Sequence, residues 1–227
     1  MRGSKHAAGL VMAIVGAVIV VGCTGRSAPA TVTPSSKLVA AAEAVGFKPS
    51  IGPGMGKIEN LPASSAPATT STNLLPIGSS APNFRLQTAT GVEVSLASLR
   101  GKAVLIDFFT TWCPHCQAEA PHLASLSKQL PSSKYAVLAI NADGEDAASV
   151  YAFDRYYDTP YPVLLDPSSV TGNFHSRGAV GPVSAAYKIE FLPTFYVIAP
   201  DGTVAWRSDG EQPDALLREQ LEATVKE

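Results

Sequence analysis

The sequence predicts an α/β fold with a mixed central β-sheet flanked by helices. Three observations carry that expectation. Ala103–Phe109 and Tyr135–Asn141 are nearly all apolar and β-prone, as strands covered on both faces are. Each is followed by a stretch with helical spacing of apolar residues. Residues 194–199 and Val204-Ala205-Trp206 then form two further β-prone runs split by the turn signal Pro200-Asp201-Gly202. Strand, helix, strand, helix and strand, closed by a hairpin and a helix, is an α/β order.

The elements follow in chain order. Phe84-Arg85-Leu86-Gln87 alternates apolar and polar residues, Ala89-Thr90-Gly91 is a turn signal, and Val92-Glu93-Val94 alternates again. This predicts an N-terminal β-hairpin. Leu96 and Leu99 lead through Gly101-Lys102 into the first central strand. After Cys116 a helix is expected to about Leu130, because Leu123, Leu126 and Leu130 fall on one face at i, i+3 and i+7. Pro121 lies inside it, cannot donate to the Gln117 carbonyl, and predicts a kink. Beyond the second strand, residues 143–146 offer N-cap candidates, and Val150, Phe153 and Tyr157 line the inner face of a second helix. Residues 162–166 read as a short strand and 167–186 as short helices and loop. Pro213 suits the first turn of a final helix, with Leu217 and Leu221 facing inward.

Ahead of this domain the composition changes. The chain has 227 residues and a formal net charge of −2, a balance that points to neither nucleic acid nor a polybasic membrane surface. Arg2 and Lys5 precede an uncharged apolar run over residues 10–21. That run is short for a spanning helix and suits the core of a signal peptide, here residues 1–22. It ends in Val20-Val21-Gly22-Cys23, which resembles a bacterial lipobox, so Cys23 is the expected lipid attachment site. Residues 23–76 are rich in Ala, Ser, Thr and Pro and read as a lipid-anchored flexible tether, about 40 Å end to end as a coil. A short helix near residues 37–45 would be stopped by Gly46. Residues 77–227 are the folded domain, roughly 150 residues and large enough for one core.

Both readings of the leader, lipidated or plain, place the domain outside the cytoplasm, away from the glutathione pool. Three cysteines are too few to staple a scaffold, so the pair Cys113/Cys116 is expected to do chemistry. Cys113-Pro114-His115-Cys116 sits where a strand ends and a helix begins. There, free N–H groups and positive potential lower a thiol pKa, and a thiolate is what attacks a disulfide. Cys113 is the expected nucleophile. Cys116, three residues on and deeper in the helix, is the resolving thiol of a Cys113–Cys116 disulfide. Pro114 fits the first helical turn, since its missing N–H would be unpaired anyway. His115 can hydrogen-bond the Cys113 thiolate or carry charge beside it, and either stabilises the reduced form. A zinc site needs about four ligands, and His6, His122 and His175 show no companion spacing. No cofactor beyond the redox-active disulfide is expected. Trp112 is expected half-exposed beside Cys113, in contact with partners. Asp107 in a buried strand is costly without a role or a partner.

These residues resemble the TlpA/ResA branch of the thioredoxin superfamily, the membrane-attached thiol-disulfide oxidoreductases of bacteria. The likeness runs from about Ile77 to the C-terminus. It rests on Gly78-Ser79-Ser80-Ala81-Pro82-Asn83-Phe84, Leu99-Arg100-Gly101-Lys102, Trp112-Cys113-Pro114-His115-Cys116, Glu119 and Pro121, Leu192-Pro193-Thr194, and Asp201-Gly202. The resemblance implies a thioredoxin-like fold acting as a monomer. It makes Glu119 the acidic residue of the active-site helix and Asp107 the counterpart of thioredoxin's buried aspartate, both candidates to take the Cys116 proton. Pro193 would be the cis-proline beside the dithiol, with Leu192, Pro193 and Thr194 forming the substrate-binding edge. Implied partners are proteins with cysteines or disulfides, such as apocytochrome c or copper-site assembly proteins, with electrons from a CcdA-type membrane transporter. Two positions depart from the branch. Pro114-His115 is the dipeptide of DsbA-type oxidants, which would pair the chain with a quinone-linked oxidase, and Phe191 replaces a usual glycine. A thiol peroxidase would need Pro-Thr-x-x-Cys, and a copper-binding module Cys-x-x-x-Cys with a distal histidine; this chain has neither spacing.

Overall fold

The computed structural model describes residues 32–50, 73–167 and 180–225. The signal-type segment, Cys23, residues 51–72 of the expected tether and residues 168–179 lie outside them. No helix among the described residues is long and apolar enough to cross a membrane. In chain order the elements are α1 (Ser36–Val45), β1 (Arg85–Thr88), β2 (Glu93–Ser95), a 3-10 turn (Leu96–Leu99), β3 (Ala103–Phe109) and α2 (Pro114–Gln129). They continue with β4 (Tyr135–Asn141), α3 (Ala147–Tyr157), β5 (Val163–Leu165), α4 (Pro182–Ala186), β6 (Thr194–Ile198), β7 (Val204–Asp209) and α5 (Asp214–Ala223).

The seven strands form one mixed sheet in the order β2-β1-β5-β4-β3-β6-β7. β3 runs parallel to β4 and β4 to β5, while β6 and β7 continue the sheet antiparallel on the other side. The N-terminal hairpin pairs β1 with β5. β3 is therefore an interior strand, flanked by β4 and β6, and its alternation divides the core. Ala103, Leu105 and Phe109 face a cluster with Leu123 and Leu126 of α2, Val150 and Phe153 of α3, and Leu217 and Leu221 of α5. Val104, Ile106 and Phe108 face a second cluster with Phe84, Leu86, Tyr187 and Tyr196. Covering both faces explains why β3 is an almost unbroken apolar run. By the same two-residue period Asp107 belongs to the face that carries α2. Leu123 is fully buried in that layer. Leu123→Ala is expected to lower stability by about 2–5 kcal/mol, read as a reduced midpoint in chemical denaturation.

The helix ends follow local chemistry. Asp146 caps α3, accepting from the N–H groups of Ala148 (2.9 Å) and Ser149 (3.0 Å). α2 passes through Pro121 as one helix. Pro213 is the N-cap of α5 rather than a residue of its first turn. The turn at Gly202 closes by its N–H to the Ala199 carbonyl at 2.8 Å, and its φ of 84° is one that glycine adopts freely.

Two differences concern the segment expected to be a tether. Ser35 caps α1 through the Leu38 N–H (3.2 Å), and Gly46 ends it in the left-handed region. This helix packs on the domain: Ala42 is buried with Tyr151 and Ala152 of α3, with Leu38, Val39 and Phe47 around them. Phe47 meets Phe153, Tyr156 and Tyr157 edge-on, with ring centroids 5.5, 5.3 and 6.0 Å away. An alanine-rich stretch with one aromatic anchor thus buries enough to dock. The folded body also begins ahead of Ile77. Leu74 is buried in the second core, the Leu75 N–H donates to the Tyr196 hydroxyl (3.1 Å), and Arg207 binds the carbonyls of Leu74 and Leu75.

Candidate active site

The central parallel pair places the site. β3 ends at Phe109, the chain turns through Thr110-Thr111-Trp112, and Cys113 becomes the N-cap of α2 with Pro114 at its first position. The Cys116 backbone N–H donates to Cys113 Sγ at 3.4 Å, so the helix start solvates the sulfur as the spacing predicts. Both cysteines are free thiols and both are buried, Cys116 (1 %) more than Cys113 (5 %). The Cys113 pKa is drawn down to about 7, first by the Cys116 thiol hydrogen bond, then by the backbone N–H groups of Cys116 and His115, and last by the His115 charge. Cys116 moves the other way: burial raises it, the hydrogen bond to Cys113 adds to this, and so do the Cys113 and Asp107 charges. The pair is therefore divided into one thiol that ionises near neutrality and one that keeps its proton.

Two carboxyls lie beneath the dithiol. Asp107 is buried, its pKa raised by desolvation and then by the Cys113 thiolate. Glu119, one turn along α2, is fully buried and raised by desolvation and then by Asp107. Asp107 Oδ1 and Glu119 Oε1 have no hydrogen-bond partner among the described residues, and Glu119 Oε2 accepts the Gln212 N–H at 3.4 Å. Asp107 is the carboxyl whose charge reaches both sulfurs, and Glu119 connects to them through Asp107.

The remaining expected residues surround the sulfurs unequally. The Leu192–Pro193 bond is cis, and the Cys113 thiol lies 3.9 Å from the Leu192 carbonyl. Trp112 is 38 % exposed, and its Nε1 donates to Asp143 Oδ2 at 2.8 Å. Thr194, expected on the substrate edge, is fully buried. Its hydroxyl lies 2.7 Å from the Phe191 carbonyl and 2.8 Å from Asp209 Oδ1, so it ties the loop down rather than presenting a contact. His115 also differs: its ring is largely exposed and engages Glu211, not the Cys113 sulfur. What it gives Cys113 is a backbone N–H and a charge. No group of three or more His, Cys, Asp or Glu suited to a metal occurs among the described residues.

Several residues at the site were not singled out by the sequence. Glu145 accepts the Thr111 N–H (2.7 Å), the Asn141 side-chain amide (2.6 Å) and the Thr111 hydroxyl, and so holds the turn before Cys113. Residues 143–146 read as helix caps, and only Asp146 is one. Gln117 donates to the Thr111 carbonyl at 2.7 Å. Glu211 and Gln212 bring the loop after β7 to His115 and Glu119. The one signal available was Gln117 itself, a polar residue one step after Cys116 on the inward side of the helix.

Comparison with known proteins gives the family resemblance of the whole domain. The AhpC/TSA family model matches residues 77–207. The thiol-disulfide oxidoreductase ResA of Bacillus subtilis (strain 168) is 31% identical over 144 residues, which are 63% of this chain and 73% of ResA. ResA of Oceanobacillus iheyensis is 33% identical over 155 residues, 66% of this chain and 72% of its own. Among solved structures, a candidate thiol:disulfide interchange protein DsbE from Chlorobium tepidum superposes with a TM-score of 0.57 at 25% identity, covering 66% of this chain and 98% of that one.

Proposed function

The chain belongs to the AhpC/TSA family and to the ResA-like thiol-disulfide oxidoreductases of the thioredoxin superfamily, and from that premise we propose that it reduces disulfides in extracytoplasmic proteins through Cys113 and Cys116. The observation that carries this reading is the division of the pair: a Cys113 thiol near 7 with a Cys116 thiol held protonated beside it. The Cys113 thiolate attacks one sulfur of the partner's disulfide. That S–S bond breaks, and the departing partner sulfur takes up a proton. Cys116 then loses its proton towards Asp107 and attacks Cys113 Sγ. The mixed disulfide breaks, the second partner sulfur leaves as a thiolate and takes up a proton, and Cys113–Cys116 is left oxidised. Two electrons pass to the partner.

The His115 geometry supports this direction. An oxidant needs its thiolate strongly stabilised, and the most oxidising dithiols hold theirs near about 3.5. Here the His115 ring is turned to Glu211, and Cys113 stays at about 7. This favours reduction over the oxidation that Pro114-His115 suggests. Cytochrome c maturation fits as the setting, with protein cysteines as substrates and a CcdA-type transporter supplying electrons. Residues 1–22 would export the chain, and lipid on Cys23 would hold it at the outer face of the cytoplasmic membrane.

Titration of the full chain against glutathione tests the direction. A midpoint near that of thioredoxin, about −270 mV, is expected; one near about −120 mV overturns the reductive reading. The same thiol sets the pH dependence. Only the thiolate attacks, so a pKa of about 7 predicts an exchange rate rising about tenfold between pH 6 and pH 8, then levelling. Stopped-flow rates across that range check it.

A further inference from the structure

Gln117 follows Cys116 directly, is 2 % exposed, and takes no part in the exchange steps. Among the described residues, its side chain makes three hydrogen bonds, to the Thr111 backbone and to Ser50. Its Nε2 donates to the Thr111 carbonyl at 2.7 Å. Its Oε1 accepts the Ser50 N–H at 2.8 Å and the Ser50 hydroxyl at 2.9 Å. Thr111 belongs to the turn that delivers Cys113, whose own N–H reaches the Thr110 carbonyl at 3.4 Å. Ser50 belongs to the segment carrying α1, which is seated on α3 by Ala42 and Phe47. That segment lies outside the 77–207 family match.

A buried amide is stable only with both ends paired, and it holds its orientation because both are paired. Without Ser50, Oε1 loses both of its acceptor contacts, and Nε2 loses the reason to stay on Thr111. We propose that residues 36–50 are a positioning strut for the dithiol: Phe47 docks the segment, Ser50 fixes Gln117, and Gln117 fixes the Thr111 turn ahead of Cys113. Ser50 and Gln117 are positioning residues, not catalytic ones. The proposal rests on Cys113 as the nucleophile and extends the site to a part of the chain that the family match does not reach.

The test uses the full chain and two readouts that simple stability does not move: the pH titration of Cys113 alkylation and the rate constant for reduction of insulin disulfides. Gln117→Met, of similar length but without either hydrogen bond, is expected to shift the titration upward and lower the rate constant about 3- to 10-fold. Phe47→Ala, which leaves the active-site residues intact, is expected to act in the same direction, and the double variant to go no further than Gln117→Met. Ser50→Thr, which keeps the hydroxyl, is expected to match the parent. An unchanged titration and rate in folded Gln117→Met and Phe47→Ala overturns the strut, even if melting temperatures fall. Should Gln117→Met not fold, Phe47→Ala and Ser50→Ala decide by the same readouts. A parent chain with no exchange activity overturns the dithiol reading itself, a result distinct from active but indifferent variants.

Discussion

Cys113→Ser is expected to bring disulfide exchange down to background, and Cys116→Ser to arrest it one step later. A serine hydroxyl does not attack a disulfide at neutral pH, so without Cys113 no mixed disulfide forms. Without Cys116 the first attack survives and its product accumulates, recoverable as a covalent adduct with the protein partner. The structure adds a sharper distinction between two Cys116 variants. The Cys116 thiol hydrogen bond is the largest influence lowering Cys113. Serine keeps a donor at that place, and alanine does not. Cys116→Ser is therefore expected to leave the Cys113 titration close to about 7, and Cys116→Ala to move it upward and slow the first attack at pH 7. Alkylation rates across pH separate the two. Equal titrations would show that the backbone N–H groups alone set the thiol, and that the side-chain contact is incidental.

What was legible in the sequence is what local pattern encodes. β3 and β4 fall on the expected residues because a strand buried on both faces has to be apolar along its whole length. The dithiol was legible because Pro114 and the Cys-x-x-Cys spacing are demands of a helix start. The strut was not. Gln117 meets Ser50 across 67 residues, Thr111 meets Glu145 across 34, and His115 meets Glu211 across 96. No periodicity reports such pairings, and each polar residue alone reads as a cap or a solvated face. α1 was legible as a short helix but not as a docked one. Its docked face is only Ala42 with Leu38 and Val39, and Phe47 follows just past its end, too few residues to stand out in an alanine-rich stretch. Of the two roles read for His115, its charge reaches Cys113, while its ring hydrogen bond goes to Glu211. Chain position put it beside Cys113, and only the fold puts Glu211 within its reach.

The largest remaining effect is expected at Asp107 and Glu119, where activity and stability should move in opposite directions. Neutralising both, as Asp107→Asn with Glu119→Gln, removes the proton acceptor for Cys116 and is expected to slow resolution of the mixed disulfide about 100-fold. Asp107→Asn alone should account for most of that, since its charge reaches Cys116 while Glu119 acts through Asp107. The first attack depends on Cys113 and should change far less, so single-turnover kinetics that resolve the two steps provide the readout. For stability the sign reverses. Both carboxyls have pKa values raised in the folded chain by burial, whereas in the unfolded chain they ionise near about 3.9 and 4.3. Above those values the folded chain holds more protons than the unfolded one, so stability falls as pH rises, until the raised folded values are passed. The neutral variants lack that loss. They are expected to be more stable than the parent at pH 7 and to converge with it towards pH 4, as denaturation midpoints at the two pH values would show. A double variant that is less stable at pH 7 would mean that the carboxylates are satisfied in the fold. The unpartnered Asp107 Oδ1 and Glu119 Oε1 argue the opposite: two acids buried beneath the sulfurs, at a cost to the fold, because the second exchange step needs somewhere to put a proton.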